Sequence, residues 1–355
     1  MAEIVDLIIV GGGASGVIAA LSARQGGLTS SSIMILEKES QPLRKVLASG
    51  NGRCNLLNTQ TIDGHFHGKD PTFSQAVIRN MTAESLIDYF GKLGLITLQE
   101  GEGRVYPRSM QSRSVSMILV RALEEHNIVL KCSTTVNRLE KTGDLFKLSL
   151  QDGSILSARA VIMATGSCAS PDLGGTAIGY DLLVSLGHAV SEPRPALVPL
   201  NLSPHPLMKY AEGVRFRGCV CFESRATGLS QSCGEFLITS YGLSGIAAME
   251  LGRTVALSCA NTNVAKHEKV GTLVIDFLPE LEVETIADIL GRQDALKHEP
   301  RSALAGLVPD KVGQAIISLV ADKPRSRLSG DHMPLCLAQM LKGLVCDVTG
   351  TRGFA

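Results

Sequence analysis

The sequence predicts an α/β fold in two domains, the first of them built on a parallel sheet. Three observations carry that prediction. A short apolar run, Leu7-Ile-Ile-Val10, opens directly into a glycine turn and a helical stretch. The 355 residues exceed the roughly 250–300 that one hydrophobic core usually serves. Finally, Glu192-Pro-Arg-Pro-Ala-Leu-Val-Pro199 packs three prolines into eight residues, which neither a helix interior nor a central strand tolerates. The chain is therefore expected to cross between domains there.

Residues 7–10 show no alternation, as expected of a strand buried on both faces. Gly11, Gly13 and Gly16 follow as G-x-G-x-x-G, and Ala14–Gln25 reads as the helix they open. Gly11 permits the tight turn, Gly13 lets a pyrophosphate approach the backbone, and Gly16 draws the helix against the strand. The helix N-terminus, beginning Ala14-Ser15, offers free amides and a positive dipole end to phosphates. A second strand, Ile33–Leu36, ends in Glu37. An acid there accepts from a ribose 2′-hydroxyl and repels a 2′-phosphate. Together these features predict dinucleotide binding and leave FAD and NAD both open.

Further on, residues 42–58 read as a loop rich in Gly, Ser and Asn, followed by helices at 83–93 and 115–125 and a strand at 128–132. Phe146, Leu148 and Leu150 alternate with polar residues, Asp152-Gly153 makes a hairpin turn, and Ile155-Leu156 starts the return. A separate buried strand, 160–164, is expected to end in Thr165-Gly166. Residues 200–276 carry short strands and glycine turns, whereas 283–344 are mainly helical with breaks near Pro300, Pro309 and Pro324.

Composition narrows the function. Lys and Arg number 34 and so do Asp and Glu, which argues against a dedicated nucleic-acid or anionic-membrane binder. No apolar run approaches 18 residues, so no membrane span is expected. The N-terminus carries Glu3 and Asp6 without a basic leader, and reads as the first strand rather than a signal peptide. Nine cysteines without C-x-x-C pairs read as free, small hydrophobes of a reducing cytoplasm, with Cys219 and Cys221 on one strand face. His65 and His67 have no third ligand nearby, so no metal is expected; His188, after Gly187, reads as part of a helix C-cap.

Two further segments bear on the cofactor. Val161-Ile-Met-Ala-Thr-Gly166 resembles the strand by which two-dinucleotide-fold flavoproteins close back onto FAD, and Cys132-Ser-Thr-Thr-Val-Asn-Arg-Leu-Glu140 resembles their adenine-pocket segment around Val136. Leu47-Ala-Ser-Gly-Asn-Gly-Arg-Cys-Asn-Leu-Leu-Asn58 resembles the signature loop of the YhiN/BaiN-type FAD-dependent oxidoreductases. Gly103-Arg-Val-Tyr-Pro-Arg-Ser109, Pro195-Ala-Leu-Val-Pro-Leu200 and Gly234-Glu-Phe-Leu-Ile-Thr-Ser-Tyr-Gly-Leu-Ser-Gly245 match the same family in order. The resemblance implies a Rossmann-like FAD-binding domain, residues 1–194, with an inserted β-rich domain and helical hairpin, residues 195–345. Residues 346–355 would begin the return to the FAD domain. The family pattern continues past Thr349-Gly-Thr-Arg-Gly-Phe354 with a further strand and helix, so a shortened chain is expected, and Ile178 stands where relatives often carry Asp.

The candidate cofactor contacts are Gly11, Gly13, Ala14, Ser15 and Gly16, then Glu37 and Lys38 after the second strand. Lys45, Ser49, Gly50 and Arg53 follow, with Val136 on the base and Ala164, Thr165 and Gly166 beyond. The candidate catalytic groups are Arg53, Asn55, Tyr106 and Arg108. In an extended segment Arg104, Tyr106 and Arg108 share one face, offering two guanidiniums and a phenol to a substrate. Cys54 is expected to pack against the flavin, and residues 239–245 are expected to face it from the inserted domain. No second complete glycine fingerprint exists: Gly101-Glu-Gly103 lacks the third glycine and a preceding strand, and Gly174-Gly-Thr-Ala-Ile-Gly179 has the wrong spacing. Any NAD(P)H would then act transiently. The expected activity is hydride transfer between FAD and a small organic substrate, with NAD(P)H or oxygen as the other partner. The competing reading is a non-catalytic, cofactor-poor binding protein.

Overall fold

The computed structural model describes residues 4–60, 66–68, 70, 72–261, 268–292, 300–321 and 332–354. His65 and Pro324 lie outside them. The chain divides into two compact units, residues 1–191 and 192–355, at the start of the proline run.

In the first unit, β1 (Ile4–Val10) leads through α1 (Ala14–Gln25) to β2 (Ile33–Leu36), which runs parallel to it. The reason for the unalternating run is visible in the packing. Ile9 joins Val17, Leu21 and Leu119 on one face of the sheet, whereas Ile8 and Val10 join Leu36, Leu139 and Leu148 on the other. Both faces are covered, so every position from Leu7 to Val10 is apolar. Within residues 42–58 the structure forms a short helix, α2 (Arg44–Ala48), and a short strand, β3 (Leu57–Asn58). Helices α3 (Thr72–Asn80) and α4 (Ala83–Lys92) follow, the latter capped by Thr82, whose hydroxyl accepts from the Ser85 amide. Strands β4 (Thr97–Gln99) and β5 (Arg104–Pro107) complete a small sheet in which β5 lies between β3 and β4.

Helix α5 (Ser112–Glu125) then leads to β6 (Val129–Lys131), parallel to β2. The meander β7 (Val136–Thr142), β8 (Leu145–Leu150) and β9 (Ile155–Met163) closes the sheet in the order β6-β2-β1-β9-β8-β7. Here the structure corrects the sequence reading. The hairpin return and the strand expected at 160–164 are one continuous strand: β9 pairs antiparallel with β8 over 155–158 and parallel with β1 as far as Met163. Its second half is partnered by β1 alone, so Ile162 is 37% exposed rather than buried. Helix α6 (Ile178–Ser185) closes the unit; Gly187 and His188 cap it, the His188 amide donating to the Leu183 carbonyl.

The second unit is a closed barrel in the order β10-β13-β12-β11-β14-β15. Its strands and helices begin with β10 (Leu200–Leu202), α7 (Pro206–Ala211), β11 (Arg215–Ser224), β12 (Gly228–Thr239), β13 (Gly242–Ser244) and α8 (Ile246–Asn261). Strand β14 (Gly271–Asp276) precedes α9 (Val283–Gly291), α10 (Pro300–Leu304), α11 (Asp310–Ala321) and α12 (His332–Lys342). The last strand, β15 (Leu344–Thr351), pairs with β14 and β10. Residues 344–351 therefore close the barrel. Alternation in β11 and β12 points Val220, Phe222, Phe236 and Ile238 inward, all fully buried, and closure leaves no edge strand.

The same alternation turns Cys219 and Cys233 outward on one rung of the β11–β12 ladder, where they are joined as a disulfide. This corrects the expectation of free thiols for these two, while Cys54, Cys221 and Cys346 are free. Among the described residues no helix is long and apolar enough to cross a membrane, and no cluster could hold a metal ion.

Candidate functional site

The C-terminal ends of β1, β2 and β9 open on a cavity of about 540 Å³ that lies wholly within the first unit. The three glycines of the first turn differ in what they do there. Gly11 has φ +113°, and a Cβ on it would stand 2.3 Å from the Ala164 carbonyl oxygen. A Cβ on Gly16 would stand 1.9 Å from the Gly11 carbonyl oxygen, so that glycine seats α1 against the turn and does not itself line the cavity. Gly13 has an ordinary φ of −75°, and a Cβ there would meet nothing within 4 Å. The space it leaves is the cavity. Helix α1 has neither a side-chain cap nor an acid in its first turn, so its leading amides and positive dipole end face that space at Ala14 and Ser15.

Glu37 is fixed at the end of β2. One carboxylate oxygen accepts from the Gly12 amide at 2.7 Å and the other from the Glu39 amide at 2.8 Å. Two amides use only part of a carboxylate's acceptor capacity. Lys38 donates to Glu39 at 2.6 Å, and Arg44 pairs with the same carboxylate. The Lys38 hydrogen bond first, and the charges of Lys38 and Arg44 with it, hold Glu39 below the usual carboxylate range. Arg44 also donates to the Asp172 carbonyl at 2.9 Å, and Lys45 to the Ser167 carbonyl at 3.1 Å. The two cations thus tie the segment after β9 to α2 along the cavity's edge.

Most candidates from the sequence meet here: Lys38, Lys45, Ser49, Val136 and the Ala164-Thr165-Gly166 segment all line the cavity. So does Asn55, with Cys54 beside it. Cys54 is 5% exposed, and burial pushes its thiol up, partly offset by a hydrogen bond with Ser49. Gly50 and Arg53 do not line it. The Arg53 guanidinium instead lies 4.7 Å over the Tyr106 ring and 3.7 Å from Glu100.

The expected substrate face on β5 is not open. Tyr106 is 3% exposed beneath residues 50–53, Arg104 pairs with Glu102 at 2.8 Å, and Arg108 is exposed away from the cavity. The cause is that β5 is the middle strand of its sheet and its Tyr106 face is covered by the loop.

Three contributions were not read from the sequence. Ile18, Phe90, Val115 and Leu119 give the cavity an apolar lobe. Arg44 lines its edge, and Thr176, Ile178 and Gly179 border it from the start of α6. That glycine run lacks the spacing of a second fingerprint, and its glycines serve close packing: a Cβ on Gly179 would stand 1.9 Å from the Thr165 hydroxyl.

A sheet whose strands β6, β2, β1 and β9 run parallel, with a glycine turn and an uncapped helix opening on one cavity, defines a protein of the Rossmann class. The chain belongs to the HI0933-like family, whose Rossmann-domain model matches residues 5–330. It is 37% identical over 279 residues to the 3-dehydro-bile acid delta(4,6)-reductase of Clostridium scindens, covering 78% of this chain and 66% of that protein. It is 27% identical over 284 residues to the ribosomal RNA dihydrouridine synthase of Escherichia coli, covering 79% and 65%. The enzyme of that name from Haemophilus influenzae is 23% identical over 320 residues, covering 88% and 74%. The chain therefore spans just under two thirds of the length of the first two relatives.

Proposed function

We propose that this chain carries the dinucleotide site of an FAD-dependent oxidoreductase acting on a small organic substrate. The observation that carries the reading is the space beside Gly13, framed by uncapped helix amides and by Glu37. Those groups fit the two ends of an ADP moiety. The amides of α1 bind the diphosphate, and the Gly12-anchored Glu37 carboxylate accepts from a ribose hydroxyl. Val136 packs on the base, and Lys38 and Lys45 offset phosphate charge. Ser49, Cys54 and Asn55 form the wall toward the redox-active ring, while Val115 and Leu119 keep water from that side. FAD, when bound, supplies hydride transfer to or from the substrate, with NAD(P)H or oxygen as the other partner.

The substrate class follows the more similar relative, a reductase of a bile acid, and the balanced charge of 34 basic against 34 acidic residues. The two RNA-modifying relatives supply the second reading, reduction of a base within ribosomal RNA. One preparation separates these readings. The purified full chain should be yellow, release FAD by mass, and bleach with dithionite. Its bound flavin should be reoxidised by an unsaturated steroid ketone and not by ribosomal RNA. Colourless protein that takes up no added FAD would leave the cofactor-poor binding protein standing. Reoxidation by RNA alone would transfer the reading to the second substrate class.

A further inference from the structure

We propose that Tyr106 and Glu100 are positioning residues that act through Arg53, holding residues 49–55 so that Cys54 and Asn55 form one wall of the cavity. The proposal rests on the reading of that cavity as the FAD site.

The loop follows an unfavourable path. Gly50, Asn51, Gly52 and Cys54 all have positive φ, and for Asn51 and Cys54, at 55° and 59°, the Cβ makes that region costly. Within the loop the backbone hydrogen bonds that oppose this include those of the Arg53 amide to Gly50 and Ser49 and of the Cys54 amide to Ser49. The Tyr106 ring supplies a support from below. It lies under the Arg53 guanidinium, and it also lies under Gly50, where an added Cβ would come within 3.5 Å of it. One ring thus carries both sides of the turn. Tyr106 is itself fixed by pairing with Leu98 in β4, and Glu100 follows that strand directly, 3.7 Å from Arg53.

Neither Tyr106, Glu100 nor Arg53 lines the cavity, whereas Cys54 and Asn55 do. The three therefore reach a ligand only through the position they give to the wall. The ion pair is weak because both side chains are about two-fifths exposed, at 44% and 39%. The buried aromatic face carries more of the hold.

The test measures, in the full chain, the FAD dissociation constant and the rate of Cys54 alkylation by iodoacetamide, mapped by mass spectrometry. Tyr106→Leu should weaken FAD binding about tenfold and speed Cys54 alkylation by about the same factor. Tyr106→Phe, which keeps the ring, should stay within about twofold of the parent on both readouts, and Glu100→Gln within about threefold. Leu148→Ala, a core truncation within the meander, controls for general destabilisation and should leave Cys54 alkylation unchanged. If Tyr106→Leu does not fold, Arg53→Met probes the same link and should move both readouts in the same direction. Parent-like values in Tyr106→Leu, or Cys54 alkylation sped equally by Leu148→Ala, would overturn the proposal. If the parent itself takes up no FAD, the functional reading fails while Cys54 alkylation still decides the positioning role.

Discussion

The two units use similar residues to opposite ends. In the barrel, strand alternation turns Val220, Phe222, Phe236 and Ile238 into an interior with no exposed surface. In the first unit the equally apolar strands β1 and β2 end at a cavity of about 540 Å³. The cavity does not reflect a shortage of hydrophobic residues, since its walls include Ile18, Val115 and Leu119. It exists because one glycine is spared a side chain where nothing else fills the space, and because a helix begins there without a cap. A core is defined by what packs, and a site by what is left out.

The comparison can be broken first in the barrel. Phe236→Ala should cost about 3–5 kcal/mol in denaturant unfolding, because the aromatic interior has no means of closing over the void. The same variant should leave FAD affinity unaltered if the two units have separate tasks. A smaller effect is expected at the outward rung. Replacing both Cys219 and Cys233 by Ser, or reducing their bond, should cost about 3 kcal/mol by the chain-entropy estimate for a loop of this size. Thiol counting with and without reductant checks the bond directly, and seven titratable thiols are expected in the unreduced chain.

The smallest expected effect is a pH dependence in the barrel unit. His205 caps α7 by accepting from the Leu207 amide at 3.2 Å, and burial holds its pKa below the ordinary 6.5, against the pull of Asp347. A His whose folded pKa is depressed contributes stability that is complete above about 6.5 and is lost as pH falls through the folded value. His205→Asn keeps a capping acceptor and should remove that slope at a cost of no more than about 1 kcal/mol. A slope that persists in the variant would place its origin elsewhere.

How much of this was legible in the sequence depends on the kind of constraint. The β1–α1–β2 turn could be read because its glycines, apolar run and terminal acid each answer to a local requirement. The segments around Val136 and Ala164 were placed by family resemblance. The apolar lobe was not legible, since helical periodicity marks Val115 and Leu119 as buried without saying which buried residues face a void. The Cys219–Cys233 pair depends on the register of two strands, and the role of β15 on a closure that joins Leu344–Thr351 to strands far earlier in the chain. Tyr106 was read as an open phenol because alternation gives a residue's face and not what covers that face.

The measurement that bears most directly on the account is FAD titration of Gly13→Val. Gly13 is extended, with φ −75° and ψ −177°, so a β-branched residue fits its backbone, and nothing within 4 Å obstructs a Cβ. The account predicts an FAD dissociation constant raised at least about tenfold, with an unfolding free energy within about 1 kcal/mol of the parent. Parent-like FAD affinity in a folded Gly13→Val protein would contradict it.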